Sequence, residues 1–140
     1  MLSKKAQYAL RAAAYLAGKF QSGPVQIAEI AEAKKIPLKF LENILLELRK
    51  AGILESKKGK GGGYYLQEIP ANVPLARIIR TIDGPISMLP CVSLYFYEKC
   101  TDCEEEQCNL NRVFAETRDA TLKVLEHRTL QDILSSDRIS

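Results

Sequence analysis

The run ILESKKGKGGGYYLQ, residues 53–67, leaves the chain few choices of fold. Two strand-like pieces, ILESK and YYLQ, flank the basic, glycine-rich KGKGGG, which reads as a β-hairpin with a cationic tip. The glycines permit positive φ and let backbone N–H groups approach a partner closely. A phosphate-binding P-loop would need G-x-x-x-x-G-K-[ST] leading into a helix. Here no Ser or Thr follows a suitable Gly-Lys, and the next element is a strand, so nucleotide binding is disfavoured.

What precedes the hairpin gives it meaning. Residues 3–20 read as a helix with Ser3 as N-cap and Ala6, Leu10, Ala13, Ala14 and Ala17 at helical spacing. Gly18 and QSGP end it. Residues 25–34 form a short second helix with Ile27, Ile30 and Ala31 inward. After the break KKIP, with Pro37 in its first turn, a third helix runs to Lys50. Its buried stripe is Leu41, Ile44, Leu45 and Leu48, its polar face carries Lys39, Glu42, Asn43 and Lys50, and Gly52 suits its exit. Two short helices about a tight turn describe a helix-turn-helix, and with a basic hairpin added they describe a winged helix. In that fold one helix enters the major groove and the wing lies along phosphates.

Charge agrees with this. Net charge is only +3, but residues 34–60 carry eight basic side chains against Glu42, Glu47 and Glu55. Residues 98–108 invert the balance, with five acids against Lys99. A basic first half and an acidic later segment suggest two different partners. No signal peptide is recognised at the N-terminus and no stretch approaches the ~18 apolar residues of a membrane span, so a cytoplasmic protein is expected.

Beyond the hairpin, PLARIIRTI (residues 74–82) reads as an amphipathic helix broken by Asp83-Gly84-Pro85. From Asn109 to about His127 a long helix carries Leu110, Phe114, Thr117, Thr121 and Val124 at coiled-coil spacing, widened by Val113, Ala120 and Leu125. A second copy of itself is the natural cover, so a homodimer is expected. His127 stands where it favours the helix dipole rather than a metal. Thr129 and Asp132 resemble a capping box for a last short helix. The expected organisation is a mostly α chain with one small β-hairpin: a DNA-binding winged helix-turn-helix over residues 1–84, a cysteine segment over 85–108, and a dimerisation helix with the last short helix over 109–140.

All four cysteines fall between residues 91 and 108, as C-x8-C-x2-C-x4-C: Cys91, Cys100, Cys103 and Cys108. Disulfides are disfavoured in a cytosolic protein. Structural zinc takes four thiolates, but zinc sites usually pair two C-x2-C hooks and here there is one. An iron–sulfur cluster also takes four ligands, though this is not a common ferredoxin spacing. Spacing alone leaves zinc and iron–sulfur level. Carboxylates beside the thiols disfavour free thiolates, so a bound cation or cluster is expected to order the segment. Tyr95, Phe96 and Tyr97 suit either shielding of a cluster or core packing. A thiol oxidoreductase would place its C-x-x-C at the start of a helix in a thioredoxin-like βαβ unit, a context lacking here, so no enzyme is expected.

QYALRAAAYLA, then FLENILLELRKAGILESKKGKGGGYYL, then a cysteine-containing loop and a long helix together resemble the Rrf-two family of bacterial transcriptional regulators over nearly the whole chain. The resemblance implies a homodimeric winged-helix protein, most simply a repressor, reading a roughly palindromic operator in double-stranded DNA, many members holding an iron–sulfur cluster between the wing domain and the long helix. Carried over by position, Lys39, Glu42 and Asn43 face the bases, Lys58 stands at the minor groove, and Lys57, Lys60 and the Gly61, Gly62 and Gly63 backbone meet phosphates. Cluster-binding relatives typically use three cysteines and a non-cysteine fourth ligand. At the two positions where that ligand occurs stand Asn111 and Gln7, both poor donors, so the extra cysteine is expected to supply the fourth bond. Cys91 and Cys108 match the family's outer cysteines, and Cys100 and Cys103 are the pair between which the likeness does not choose. The implied cofactor is a [2Fe-2S] or [4Fe-4S] cluster whose occupancy sets the loop against the wing domain and alters operator binding. A same-fold regulator with zinc, or with redox thiols switched by disulfide chemistry or a partner protein, is the alternative.

Overall fold

A computed structural model describes residues 2–101, 104 and 108–136, the side chains of 135 and 136 excepted. Six α-helices and one two-stranded sheet follow in the order α1 (Lys4–Gly18), α2 (Ile27–Lys34), α3 (Leu38–Lys50), β1 (Leu54–Lys57), β2 (Gly63–Leu66), α4 (Leu75–Asp83), α5 (Asn109–Leu125) and α6 (Leu130–Ser136). No helix among the described residues is long and apolar enough to cross a membrane.

Ser3 caps α1, its hydroxyl accepting the Ala6 N–H at 2.9 Å, and it also bonds the Asp83 carboxylate at the end of α4. The face of α1 that enters the core is Ala6, Ala9, Ala12, Ala13, Leu16 and Ala17. This is turned from the expected stripe, since Leu10 is only half-buried. Small side chains here bring α3 close, and its Leu41, Ile44, Leu45 and Leu48 are all fully buried as expected. The turn between α2 and α3 uses Lys35 in the left-handed region (φ 54°) and buries Ile36 beneath it. Pro37 sits one place outside α3, as its N-cap, and its carbonyl accepts the Leu41 N–H.

α3 ends in a Schellman motif. Ile53 N–H donates to the Leu48 carbonyl and Gly52 N–H to that of Arg49, both at 3.0 Å, with Gly52 at φ +81°. This turn aims Ile53 into the core and starts the wing. β1 and β2 pair antiparallel, with Leu54 opposite Leu66 and Lys57 opposite Gly63. Val25 adds an isolated bridge on the other edge of β2 by exchanging two 2.8 Å hydrogen bonds with Tyr64, fastening the start of the helix-turn-helix to the wing.

The chain's end returns to its beginning. Leu75 N–H donates to the Arg128 carbonyl and Leu130 N–H to that of Val73, and Leu130 joins the core fully buried. α6 thus packs into the winged-helix unit, while α5, placed with it in the sequence reading, lies against α4 and the Pro90–Val92 turn, with Leu122 its one buried residue. The Thr129 backbone N–H bonds the Asp132 carboxylate at 2.8 Å, the capping box read from the sequence.

Two stability outcomes follow from these contacts. Leu130→Ala should cost about 2–5 kcal/mol, read as a lowered urea midpoint, because the cavity opens inside the core. Gly52→Ala should cost about 1–2 kcal/mol by the same measurement. The added Cβ meets only ordinary contacts, the nearest being Arg77 at 3.7 Å, so the loss comes from the positive φ. A midpoint unchanged from wild type would contradict either assignment.

Candidate DNA interface and cysteine segment

Burial of Leu41, Ile44, Leu45 and Leu48 turns the opposite face of α3 to solvent, and Lys39, Glu42 and Asn43 all lie on it, exposed. The hairpin places Lys57 at the end of β1 and Lys58, Lys60 and Gly61 at its tip, again exposed. None of Lys39, Lys57, Lys58 or Lys60 makes an ion pair among the described residues. Arg49 of α3 donates to the Ser56 hydroxyl at 3.0 Å, tying the helix to the wing beside it.

The last two glycines of the tip are used differently from the first. Gly62 is buried and gives its N–H to the Gly59 carbonyl at 3.0 Å, so that donor is spent inside the turn instead of being offered to a phosphate. A Cβ on Gly62 would lie 2.1 Å from the Lys57 carbonyl oxygen, and one on Gly63 2.3 Å from that of Val25. Close packing of backbone on backbone therefore requires glycine at both positions.

The cysteine segment leaves α4 and crosses to the start of α5. Cys91 lies in a short 3-10 turn, Pro90–Val92, which Arg118 of α5 holds by donating to the Val92 carbonyl at 2.6 Å. Glu98 N–H closes the loop onto the Pro90 carbonyl at 3.1 Å. Cys108 is the N-cap of α5, its sulfur accepting the Asn111 N–H at 3.4 Å. The Asn111 side-chain amide reaches the Cys91 sulfur, also at 3.4 Å. One residue thus brings together the first and last thiols, seventeen positions apart in the chain. Sequence reading treated Asn111 only as a poor substitute for a ligand. Its amide could not be foreseen as a clasp, because that depends on where the 3-10 turn lands.

Cys91, Cys100 and Cys108 form no disulfide among the described residues and are of intermediate exposure, and Cys103 lies outside the described residues, as do Asp102, Glu105 and Glu106. No group of three or more His, Cys, Asp or Glu close enough to hold a metal ion occurs among the described residues. Cys91 and Cys108, thiols that could each hold a thiolate-bound group, are the two that Asn111 brings together. Tyr95, Phe96 and Tyr97 are exposed rather than in a core of their own. His127 Nδ1–H donates to the Lys123 carbonyl, 2.8 Å away, at the end of α5.

Two arginines one turn apart on α4 join the halves of the molecule. Arg77 reaches Glu68 after the wing at 3.1 Å and the Ala51 carbonyl at the end of α3 at 3.4 Å. Arg80 pairs with Glu126 beyond α5 at 2.7 Å and covers the Tyr95 ring at 4.3 Å. Sequence reading did not single out either residue. Their only signal was an i, i+3 pair of cations on an amphipathic helix.

Comparison with known proteins accounts for this arrangement. The model of the Rrf2 family, described as iron-dependent transcriptional regulators, matches residues 2–136. An Rrf2-like helix-turn-helix transcriptional regulator of Rhodobacter capsulatus is 41% identical over 140 residues, spanning 97% of this chain and 93% of that protein. Among solved structures, CymR, the global cysteine regulator of B. subtilis, superposes with a TM-score of 0.80 at 32% identity, covering 97% of each chain. IscR of T. potens superposes at 0.76 with 28% identity, over 98% of this chain and 88% of its own. The family is one of regulators and not of enzymes, and the winged helix expected from the hairpin and its preceding helices is the fold these neighbours share. The chain belongs to the Rrf2 family of transcriptional regulators.

Proposed function

We propose that this regulator binds double-stranded DNA as a homodimer at a roughly palindromic operator, and that thiol ligation in its cysteine segment modulates that binding. The observation that carries the reading is the α3 face. Its exposed Lys39, Glu42 and Asn43 sit on a helix fixed by four fully buried residues and flanked by a cationic wing. Lysine can donate to guanine O6 or N7, a carboxylate can accept from cytosine N4, and asparagine can pair with adenine. Lys58 is assigned to the minor groove, and Lys57, Lys60 and Gly61 to phosphates, where they fix register without reading sequence. The dimer is supported by α5. Leu110, Val113 and Val124 are each more than half exposed, which a helix standing alone in water does not favour.

For the cysteine segment the first reading is an iron–sulfur cluster. Cys91 and Cys108 would be its fixed ligands, already gathered across Asn111, and Cys100 and Cys103 would close on it. When bound, such a cluster supplies a redox- and ligand-sensitive centre. This chain's own residues hold the frame: Arg118 fixes the turn bearing Cys91, and the N–H of Asn111 holds the Cys108 sulfur at the N-cap of α5. A second reading, redox-active or zinc-bound thiols switched by disulfide chemistry or a partner protein, is favoured by the likeness to the global cysteine regulator CymR.

The two roles separate experimentally. Lys39→Ala should relax base preference at one position of each half-site by about 1–3 kcal/mol, whereas Lys60→Ala should weaken binding to all duplexes alike and lower the salt slope by about one unit per subunit. Equal effects of both in a binding titration against varied sequences would sink the division. Protein purified without oxygen should carry iron and sulfide in equal amounts, and Cys91→Ser or Cys108→Ser should abolish both. Iron retained by either variant would remove that thiol from the ligand set. Zinc in place of iron, or no metal after reconstitution, would decide for the second reading.

A further inference from the structure

We propose that α1 carries a second phosphate-binding edge for duplex DNA, on the flank of the recognition helix opposite the wing. The inference rests on the DNA-binding reading of α3 and adds a surface to it. Lys4, Tyr8, Arg11, Tyr15 and Lys19 recur at spacings of four, three, four and four, so they form one stripe along α1. Cations and rings alternate on it. Lys4 Nζ and Arg11 Cζ lie 5.3 and 6.0 Å from the centre of the Tyr8 ring, and Lys19 and Lys34 each place Nζ 5.8 Å from that of Tyr15.

The position of this stripe follows from the neighbours of α3. Phe40 meets Tyr8 edge-on with centroids 5.5 Å apart, and Glu47 accepts from Lys5 at 2.7 Å, so Phe40 and Glu47 mark the flank that faces α1. Arg49, bonded to Ser56, marks the flank that faces the wing. Residues 40 and 49 are nine positions apart, which at about 100° per residue is half a turn out of phase. The exposed face with Lys39 and Asn43 lies between the two flanks. A helix lying in the major groove meets a phosphate strand on either side. The wing supplies cations to one strand, and the α1 stripe is where the other passes.

The charge on the stripe is available to an anion. α1 contains no acidic residue, and Lys4 and Arg11 are exposed and make no ion pair among the described residues. Lys5 alone is neutralised, by Glu47, and Glu29 is engaged by the Tyr15 hydroxyl at 2.5 Å. A ring beneath a cation restrains it without cancelling its charge. The sequence shows the alternation, but only Phe40 and Glu47 reveal that it borders the recognition face.

The test is the salt dependence of binding to a mixed-sequence duplex, measured for the full-length wild type, for Lys60→Ala and for the double variant Lys4→Gln/Arg11→Gln, which keeps the side-chain stems. Removing one cation that neutralises a phosphate should make the slope of log K against log salt shallower by about 0.9. In the proposed homodimer each substitution removes two cations, so Lys60→Ala should change the slope by about twice that amount and the double variant by about four times it, with base preference intact in both. Each single variant, Lys4→Gln and Arg11→Gln, should show half the effect of the double, which guards against a folding defect in the latter. A double variant with the wild-type slope, beside a wing variant that is shallower, would overturn the α1 edge alone. A wild type without salt-dependent duplex binding would instead overturn the DNA-binding reading and this inference together.

Discussion

The close approach of α3 to the alanine face of α1 governs the rest of this structure. Ala9, Ala12 and Ala13 are fully buried, and with no bulk beyond Cβ they admit the branched side chains of Leu41, Ile44, Leu45 and Leu48 at full depth. Adding methylenes at such a contact usually costs about 1–3 kcal/mol, because a packed core has no slack. The consequence is more than stability. With one face of α3 sealed, its rotation about its own axis is fixed, and so are the side chains that reach solvent and the two neighbours that border them. A recognition helix needs that rigidity, since a rotation of one residue would replace Lys39, Glu42 and Asn43 by a different set.

That packing also explains what could be read from sequence and what could not. The α3 stripe was legible to the residue because large aliphatic side chains at 3.6 spacing point one way only. In α1 six alanines leave the periodicity degenerate, so the expected stripe included Leu10 and Ala14 where the core takes Ala9, Ala12 and Leu16. The wing was legible from its glycines and flanking strands, but the pairing of Val25 with Tyr64 is a single bridge and has no pattern to detect. The capping box announced α6, whereas its seat against α1 depends on how long α5 runs before the chain turns back. For the candidate sites, solvent exposure of Lys39, Glu42 and Asn43 was expected from the amphipathicity of α3. Gathering of Cys91 and Cys108 was not, because spacing in an irregular segment carries no geometry.

The acidic, cysteine-bearing segment and the basic DNA face lie in separate parts of the chain, and α4 is the element that touches both surroundings. Arg77 holds it to the end of α3 and to the wing, and Arg80 holds it to Tyr95 of the cysteine segment and to Glu126 beyond α5. A change in the cysteine segment that moved Tyr95 would act first on Arg80, then on a helix whose other arginine touches the base of the wing. This is a contiguous physical route, and it needs no distortion of the buried α1–α3 packing.

Magnitudes bound what such a route can deliver. A half-exposed ion pair such as Arg80 with Glu126 is worth about 0–1 kcal/mol. A cation over a ring at a partly exposed site contributes about 0.5–1 kcal/mol. Together they span roughly the tenfold change in affinity that corresponds to about 1.4 kcal/mol. Couplings between sites in regulators typically run to about 1–3 kcal/mol, so Arg80 alone accounts for the lower part of that range. Any stronger response has to come from elements that a single chain leaves uncovered, and the exposed apolar residues of α5 are one such surface. In the proposed dimer, a shift of the cysteine segment at the start of α5 would be felt at the pairing of two such helices. That proposed pairing would set the distance between two copies of α3, and an operator with fixed half-site spacing would convert a change in that distance directly into affinity.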